Sequence, residues 1–260
     1  MQYTGAAKFF QRKLFPLTIN GDSYVFGLAG HAPNGKMAID ECEEALTALG
    51  SGERTLSAVK KTIRLAVKPV IDDYVLSRPE AERSALDFEL LVGCWIPDGG
   101  ASGHRLLAVR RNGAVNRIEG YECIGVGSYL GDFLIAPAFN HGLSLGTIQL
   151  LAAQVLRSAK SYDANCGGQS AFEIIHQDGK REPVFFDFYH ADIFFNTHEV
   201  LAKSLLFFVA PYNTDDLLFD VKLREFTETM KSIRSSWKKL HNSQQNLLMA
   251  LPKERDDILD

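Results

Sequence analysis

Three glycines lie within seven positions of "IGVGSYLGDF", the stretch from Ile124 to Phe133. An apolar run precedes them, and a segment with helical periodicity follows. A glycine loop at such a junction can hold a phosphate, but the dinucleotide fingerprint needs G-x-G-x-x-G and a matching downstream acidic residue. Here the spacing is G-x-G-x-x-x-G, and no acidic residue follows at the required distance. We therefore expect a turn in which the backbone passes close to a neighbour, and no nucleotide cofactor.

Histidines and cysteines are the other candidates for chemistry. His190 and His198, with Asp192 between them, lie too far apart for one helical turn to bring both histidines onto a metal ion. No C-x-x-C pair occurs among the four cysteines, Cys42, Cys94, Cys123 and Cys166. Scattered cysteines indicate neither a zinc site nor a disulfide framework, so we expect no metal, no cofactor and a reducing cytoplasm.

The composition is that of an ordinary packed protein. Of the 260 residues, 46% are hydrophobic and 23% charged, and the formal net charge is −4. An acidic balance argues against nucleic-acid binding. The most apolar stretch, residues 191–212, is interrupted by His198, Glu199 and Lys203, so no membrane span is predicted. We expect a soluble cytoplasmic protein with neither a nucleic-acid nor a membrane partner.

Periodicity and turn signals predict an alternation of strand and helix pairs. A hairpin with an Asn-Gly turn comes first, followed by a helix capped by Asn34 and a second helix kinked at Pro69. A three-stranded meander, two more helices and a final hairpin follow. Two stacked antiparallel sheets with helices on both outer faces accommodate this order. We predict an α+β, four-layer αββα sandwich over residues 1–210, then a helix and charged tail over 211–260.

Four segments in this order resemble proteasome-type N-terminal-nucleophile hydrolases, from about Lys13 to Tyr189. In that family a lysine opens one strand and the next strand ends in Ala-Gly, as in "RKLFPLTINGDSYVFGLAGHAPNG". The central hairpin, the Gly-Ser-Gly turn that enters a helix, and a second glycine-rich turn resemble "FELLVGCWIPDGGASGHRLLAV", "YECIGVGSY" and "YDANCGGQSAFEII". The resemblance implies the proteasome-like sandwich.

The resemblance also implies roles for individual residues. The family's terminal threonine attacks a peptide carbonyl, and its own α-amino group is the base. Lys13 falls on the lysine that stabilises the deprotonated nucleophile, and Gly30 on the residue whose backbone N–H binds the oxyanion. The turn that lines this site comprises Gly125, Val126, Gly127 and Ser128.

Departures from the family pattern concern the nucleophile and two serines. Only twelve residues precede Lys13, too few for the family's first strand, and Thr4 is too close to Lys13 to be the nucleophile. We therefore interpret the chain as N-terminally incomplete. Val126 replaces the serine of the first turn, while the family's second serine falls on Gly167 and its aspartate on Ala164 or Asn165.

Two functions follow from the resemblance. The first is a threonine-type peptidase that acts on a peptide or protein substrate and whose nucleophile is missing from this chain; Lys13 favours it. The alternative is a non-catalytic structural subunit, which Val126 and Gly167 favour. Either function implies a homo-oligomer, ring-like or smaller, held by outer helix residues for which we name Met37, Leu46, Ile148 and Leu151.

Overall fold

The computed structural model describes residues 12–50, 54–96, 103–163, 166, 170–184 and 216–250. The chain divides into two compact units, residues 1–185 and 186–260. All the elements up to β7 belong to the first unit, and the described part of the second is helix α6, Asp216–Ala250. The boundary expected at residue 210 lies outside the described residues.

A five-stranded antiparallel sheet forms the centre of the first unit. Its order is β1 (Leu14–Ile19), β2 (Asp22–Gly30), β3 (Phe88–Trp95), β4 (His104–Val109) and β5 (Val115–Ile118). Asn20 and Gly21 join β1 to β2 with positive φ angles of 52° and 87°, as a tight hairpin turn requires. The predicted hairpin and meander are therefore confirmed. On β1, the edge strand of this sheet, Pro16 pairs with Val25.

One face of this sheet is covered by α1 (Ala32–Ala48) and α2 (Leu56–Ile71). Apolar side chains of both helices and of alternate strand positions form one buried cluster, including Phe26, Val92 and Ile63. Pro69 lies inside α2, which continues as a π-helical segment, Asp72–Leu76. The helix that follows, α3 (Glu80–Leu86), is absent from the sequence prediction.

The cap of α1 differs from the prediction. His31, not Asn34, is the N-cap, and its imidazole Nδ1 accepts a hydrogen bond from the Asn34 N–H at 3.4 Å. The Asn34 side chain instead donates to the Leu86 carbonyl at 3.0 Å. The Asn34 side chain thus makes a tertiary contact with the end of α3 instead of the predicted capping hydrogen bond.

A second antiparallel sheet, β6 (Phe172–Ile175) and β7 (Arg181–Val184), lies on the other face of the first. Ile175 Cδ1 is 3.7 Å from where a Cβ would stand on Gly93, and Trp95 packs against Gly179 in the β6–β7 turn. Between β5 and β6 lie α4 (Ser128–Ile135) and α5 (Leu145–Tyr162), which pack on each other. The α+β class with two antiparallel sheets is confirmed, whereas the full four-layer order stays a prediction.

Candidate functional site

Lys13 lies just before β1, beside the end of β2. The Leu28 N–H donates to the Lys13 carbonyl at 2.8 Å, which extends the β1–β2 pairing beyond Leu14. The Lys13 side chain is exposed. Within the part of the chain that the structure describes, its ammonium group has no hydrogen bond or ion pair. Lys13 is therefore an exposed cation at this end of the sheet.

Gly30 is the last residue of β2 and lies at the same end of the sheet as Lys13. Its φ is +91°, and a Cβ placed on it would stand 2.3 Å from the carbonyl oxygen of Asp87. That carbonyl accepts a hydrogen bond from the His31 N–H at 2.7 Å, so it cannot move away freely. Alternate N–H groups of a strand point to the same side. The Gly30 N–H therefore points toward the β1 side, as the Leu28 N–H does, and only glycine fits here.

The glycine-rich turn lies next to these residues. Gly125 has a φ of +90°, and a Cβ on it would stand 3.0 Å from the Cβ of Ala29, the residue before Gly30. The Gly125 carbonyl accepts from the Ser128 N–H at 3.1 Å, and α4 begins at Ser128. Val126, in the middle of the turn, is 63% exposed. The structure thus brings the turn next to Gly30, at the end of the sheet where the backbone of Lys13 pairs with β2.

The second glycine motif approaches the first through Cys166. A Cβ on Gly127 would stand 2.9 Å from Cys166 Sγ. The Cys166 N–H donates to the Asp163 carbonyl at 3.0 Å. Sequence reasoning passed over Cys166 in favour of its neighbours, although "DANCGG" places a thiol before two glycines. The positions expected to replace the family's serine and aspartate, Gly167 and Ala164 or Asn165, lie outside the described residues.

Three of the cysteines are protonated thiols at neutral pH. Burial raises the pKa of Cys42 and of Cys94 to about 12. Burial also raises the pKa of Cys123 to about 12, and the nearby Asp132 carboxylate, which accepts a hydrogen bond from the thiol, adds to the effect. Because a thiolate is the nucleophilic form, these three side chains are structural.

An acidic side chain lies between the two sheets. Glu173 projects from the same face of β6 as Ile175, and Arg181 Nε is 3.7 Å from its Oε2. Burial raises the pKa of Glu173, and the positive charges of Arg181 and Arg12 partly oppose that shift. Among the described residues, Glu173 Oε2 and Arg181 Nη1 have no hydrogen-bond partner. The one signal in the sequence is a single charge inside the apolar run "AFEII".

Arg12 is a second cation at the β1 end. Its Nε donates to the Leu14 carbonyl at 2.8 Å, and its guanidinium carbon is 5.8 Å from the centre of the Phe15 ring. Sequence reasoning chose Lys13 alone from the Arg-Lys pair. Arg12 is held by these contacts, whereas the Lys13 ammonium group has no such contact among the described residues.

The described residues contain neither a metal-binding cluster nor a membrane span. Among them, no group of three or more histidine, cysteine, aspartate or glutamate side chains is arranged to hold a metal ion. His190, Asp192 and His198 lie outside that part of the chain. None of the helices that the structure describes has the length and apolarity needed to cross a bilayer.

Sequence comparisons give no relative. No protein-family model matches the chain, and no match is found among curated proteins.

Solved structures do resemble it, and Anbu proteins are among them. The chain is 12% identical to the "Anbu (Gly-1) mutant" from Hyphomicrobium sp. strain MC1, with a TM-score of 0.62 over 78% of this chain and 87% of that one. For "Anbu (ancestral beta-subunit)" from Yersinia bercovieri the identity is 14% and the TM-score 0.60, over 77% and 86%. For the "Helical Assembly of the Anbu Complex" from Pseudomonas aeruginosa the identity is 14% and the TM-score 0.62, over 82% of this chain and 90% of that one.

The assignment to proteasome-type N-terminal-nucleophile hydrolases is therefore wrong. The three structures named above are Anbu proteins, which are proteasome-like but form a distinct family. The segments that supported the assignment are strands and glycine turns, which report a shared fold and do not separate one family from another with that fold. At 12–14% identity the likeness shows the fold alone: this chain has the proteasome-like fold seen in Anbu.

Proposed function

We propose that the edge formed by Lys13, Gly30 and residues 125–128 is the active site of an amide-bond hydrolase that acts on peptides. The observation that carries this proposal is that a directed backbone N–H and a close turn meet at the end of the sheet where Lys13 leads into β1. In acyl transfer, a backbone N–H stabilises the oxyanion of the tetrahedral intermediate, and a neighbouring cation stabilises a deprotonated nucleophile.

An activated nucleophile is the component that the described site does not provide. Lys13 is a cation, Gly30 contributes a backbone group, and Cys123 is a protonated thiol. Ser128 and Cys166 place a hydroxyl and a thiol at the turn, but among the described residues neither is hydrogen-bonded to a base. The proposal therefore assigns the attack to a hydroxyl or thiol outside the described residues. That group would form a covalent acyl-enzyme, which water then hydrolyses.

A non-catalytic subunit is the second candidate, and one observation favours it. Val126 gives the turn an exposed apolar side chain where a hydrogen-bonding one would serve catalysis. A structure similar to this chain is described as a helical assembly. We propose on this ground that the chain self-associates, whether or not it hydrolyses peptides. We also propose that the chain is cytoplasmic, and that α4 and α5 form a helix layer over the second sheet.

Covalent labelling distinguishes the two functions. The 260-residue chain is treated with a peptide vinyl sulfone, which captures threonine, serine and cysteine nucleophiles, and analysed by intact-mass and peptide mass spectrometry. A hydrolase gives one adduct at one residue and cleaves a fluorogenic peptide mixture. Lys13→Ala abolishes labelling because the anionic nucleophile loses its cation.

Arg12→Ala is the matched control, since it removes the adjacent cation of the same edge. We expect it to retain labelling. Equal loss in both variants would mean that general positive charge, and not Lys13, supports the reaction. A folded chain that gives neither adduct nor cleavage would establish the structural alternative.

A further inference from the structure

We infer that α6 of one copy pairs with α6 of a second copy as an antiparallel coiled coil, and this rests on the self-association proposed above. The contact surface, termed the α6 seam, is a row of apolar residues along this helix. Its members are Phe219, Leu223, Phe226, Met230, Ile233, Trp237 and Leu240. Leu46, which the sequence named for self-association, is 1% exposed and lies in the core, so it is not available to a partner.

The spacing of the α6 seam is that of a coiled coil. From Phe219 to Leu240 its residues follow one another in alternating steps of four and three. This 3.5-residue repeat keeps one apolar row facing a partner helix along the whole contact. The repeat is sustained over about three heptads, which is the length at which it indicates a coiled coil.

The seam is open to solvent where the structure describes its side chains. Leu223 is 44% and Met230 45% exposed, and Ile233 is half-buried. Between Phe219 and Ser236, a range in which all side chains are described, none is buried. A helix in water owes most of its stability to the packing of an apolar face against another element. A partner helix on the seam would supply that packing.

The charges of α6 differ between its two halves. Residues 216–228 contain four acidic and two basic side chains, a net charge of −2. Residues 229–250 contain four basic side chains and no acidic one. Parallel pairing of two copies would set the basic halves side by side, and like charges repel. Antiparallel pairing sets the basic half of each copy beside the acidic half of the other, so a second copy in this orientation is complementary in charge.

The spacing of the seam also allows a symmetric pairing. With a two-fold axis between Lys231 and Ser232, each seam position from Leu223 to Leu240 meets a seam position of the second copy. Met230 then packs against the partner's Ile233. Because the steps of four and three read the same in both directions over this range, one arrangement satisfies all its layers. A second copy is therefore the occupant that both the spacing and the charges favour.

Sedimentation of the full chain with single glutamate substitutions tests the seam. Leu223→Glu and Met230→Glu change the seam, whereas Val221→Glu changes a residue that is 43% exposed on α6 but outside it. All three variants add one negative charge at similarly exposed positions, and circular dichroism verifies that they fold. We expect Val221→Glu to associate as the wild type does. Each seam variant should raise the dissociation constant at least about tenfold, because association buries the new carboxylate.

Crosslinking tests the orientation. In the antiparallel pair Thr229 lies beside the partner's Ser236, since both flank the seam on the same side. An equimolar mixture of Thr229→Cys and Ser236→Cys is treated with a short bismaleimide, and peptide mass spectrometry locates the crosslinks. The mixture should give a crosslink between positions 229 and 236 in much higher yield than Ser236→Cys alone gives between its own copies.

The outcomes separate this inference from the proposed self-association. An oligomer whose affinity is unchanged in both seam variants would overturn the α6 contact and leave self-association intact. Equal weakening by Val221→Glu would show that added negative charge, and not the seam, controls association. A mixture that crosslinks no better than Ser236→Cys alone would overturn the antiparallel pairing. A monomeric wild type would overturn both self-association and the α6 contact.

Discussion

Gly125 packs directly against Ala29, and their contact joins the glycine-rich turn to the end of β2. The Cβ position of Gly125 is 3.0 Å from Ala29 Cβ, and the φ of +90° is one that other residues rarely adopt. At Gly125, as at Gly30, a φ that favours glycine coincides with a tight contact, so a side chain at this position would be strained.

Gly125→Ala should lower the free energy of unfolding by about 1–3 kcal/mol, because the new methyl group is strained and presses on Ala29. Gly146→Ala is the control. Gly146 lies in α5 with no atom within 4 Å of its Cβ position, so alanine there should be neutral or stabilise the helix. Urea denaturation measures both changes, and equal midpoints for Gly125→Ala and wild type would contradict the contact.

Gly30→Ala should be more severe. A Cβ at this position stands 2.3 Å from the Asp87 carbonyl, a backbone atom already bonded to the His31 N–H. We expect a loss of about 3 kcal/mol or more. Gly27→Ala, in the same strand, places its Cβ at an ordinary 3.6 Å from Leu91 Cβ and should cost less than about 1 kcal/mol. Thermal melts of the two variants side by side measure the difference, and comparable losses would refute the assigned role of the Asp87 carbonyl.

Cysteine alkylation should discriminate among the thiols of the folded chain. Cys42, Cys94 and Cys123 have pKa values raised to about 12, so each is almost wholly protonated at pH 8 and should resist iodoacetamide. Asp132→Asn removes the carboxylate that helps raise the Cys123 pKa, and the alkylation rate of Cys123 should increase several-fold. Peptide mass spectrometry at timed intervals measures it. Rapid modification of Cys123 in the wild type would disprove the burial argument.

Stability should depend on the ionisation of Glu173. Its pKa in the folded state is raised above the ordinary value of 4.5, so the folded chain binds more protons than the unfolded chain between those two values. By linkage, the contribution of Glu173 is fully present below about pH 4.5 and is lost as the pH rises through the folded-state pKa.

Glu173→Gln should remove that pH dependence. Relative to wild type, the variant should gain stability as the pH rises through this window, and the difference should disappear at lower pH. Glu44→Gln, an exposed change on α1, serves as the control and should follow the wild-type slope. Guanidinium denaturation at a series of pH values tests this. Parallel curves for Glu173→Gln and wild type would exclude a burial penalty at Glu173.

Local signals predicted the local structure well. The Asn20-Gly21 pair predicted the turn of the first hairpin. Helix α5 begins after Ser144, whose side chain accepts a hydrogen bond from the Thr147 N–H as a helix cap. The misses have tertiary causes. Asn34 was drawn away from capping by the Leu86 carbonyl, and α3 is a short helix without a buried residue, so it leaves little periodicity in the sequence.

The candidate site was predictable only in part. Strand order brought Lys13 and Gly30 to one edge, and the turn was recognisable from its glycines. Glu173 was not recognisable as a buried acid. Its burial depends on the packing of one sheet on the other, and the spacing of residues along the sequence gives no sign of that packing. The family was misassigned for a related reason: short strand and turn segments are shared by families with the same fold.

Pro16 has a consequence for how copies of this chain can meet. In the β1–β2 register the Leu28 N–H reaches Lys13, so residues 13, 15 and 17 turn their polar groups toward β2 and Pro16 turns outward. The missing N–H of proline therefore weakens nothing within the sheet, but it leaves a gap in the row of donors that an incoming strand would need. Growth of this sheet by edge-to-edge strand addition, the usual route to amyloid-like aggregation, is thus opposed at β1.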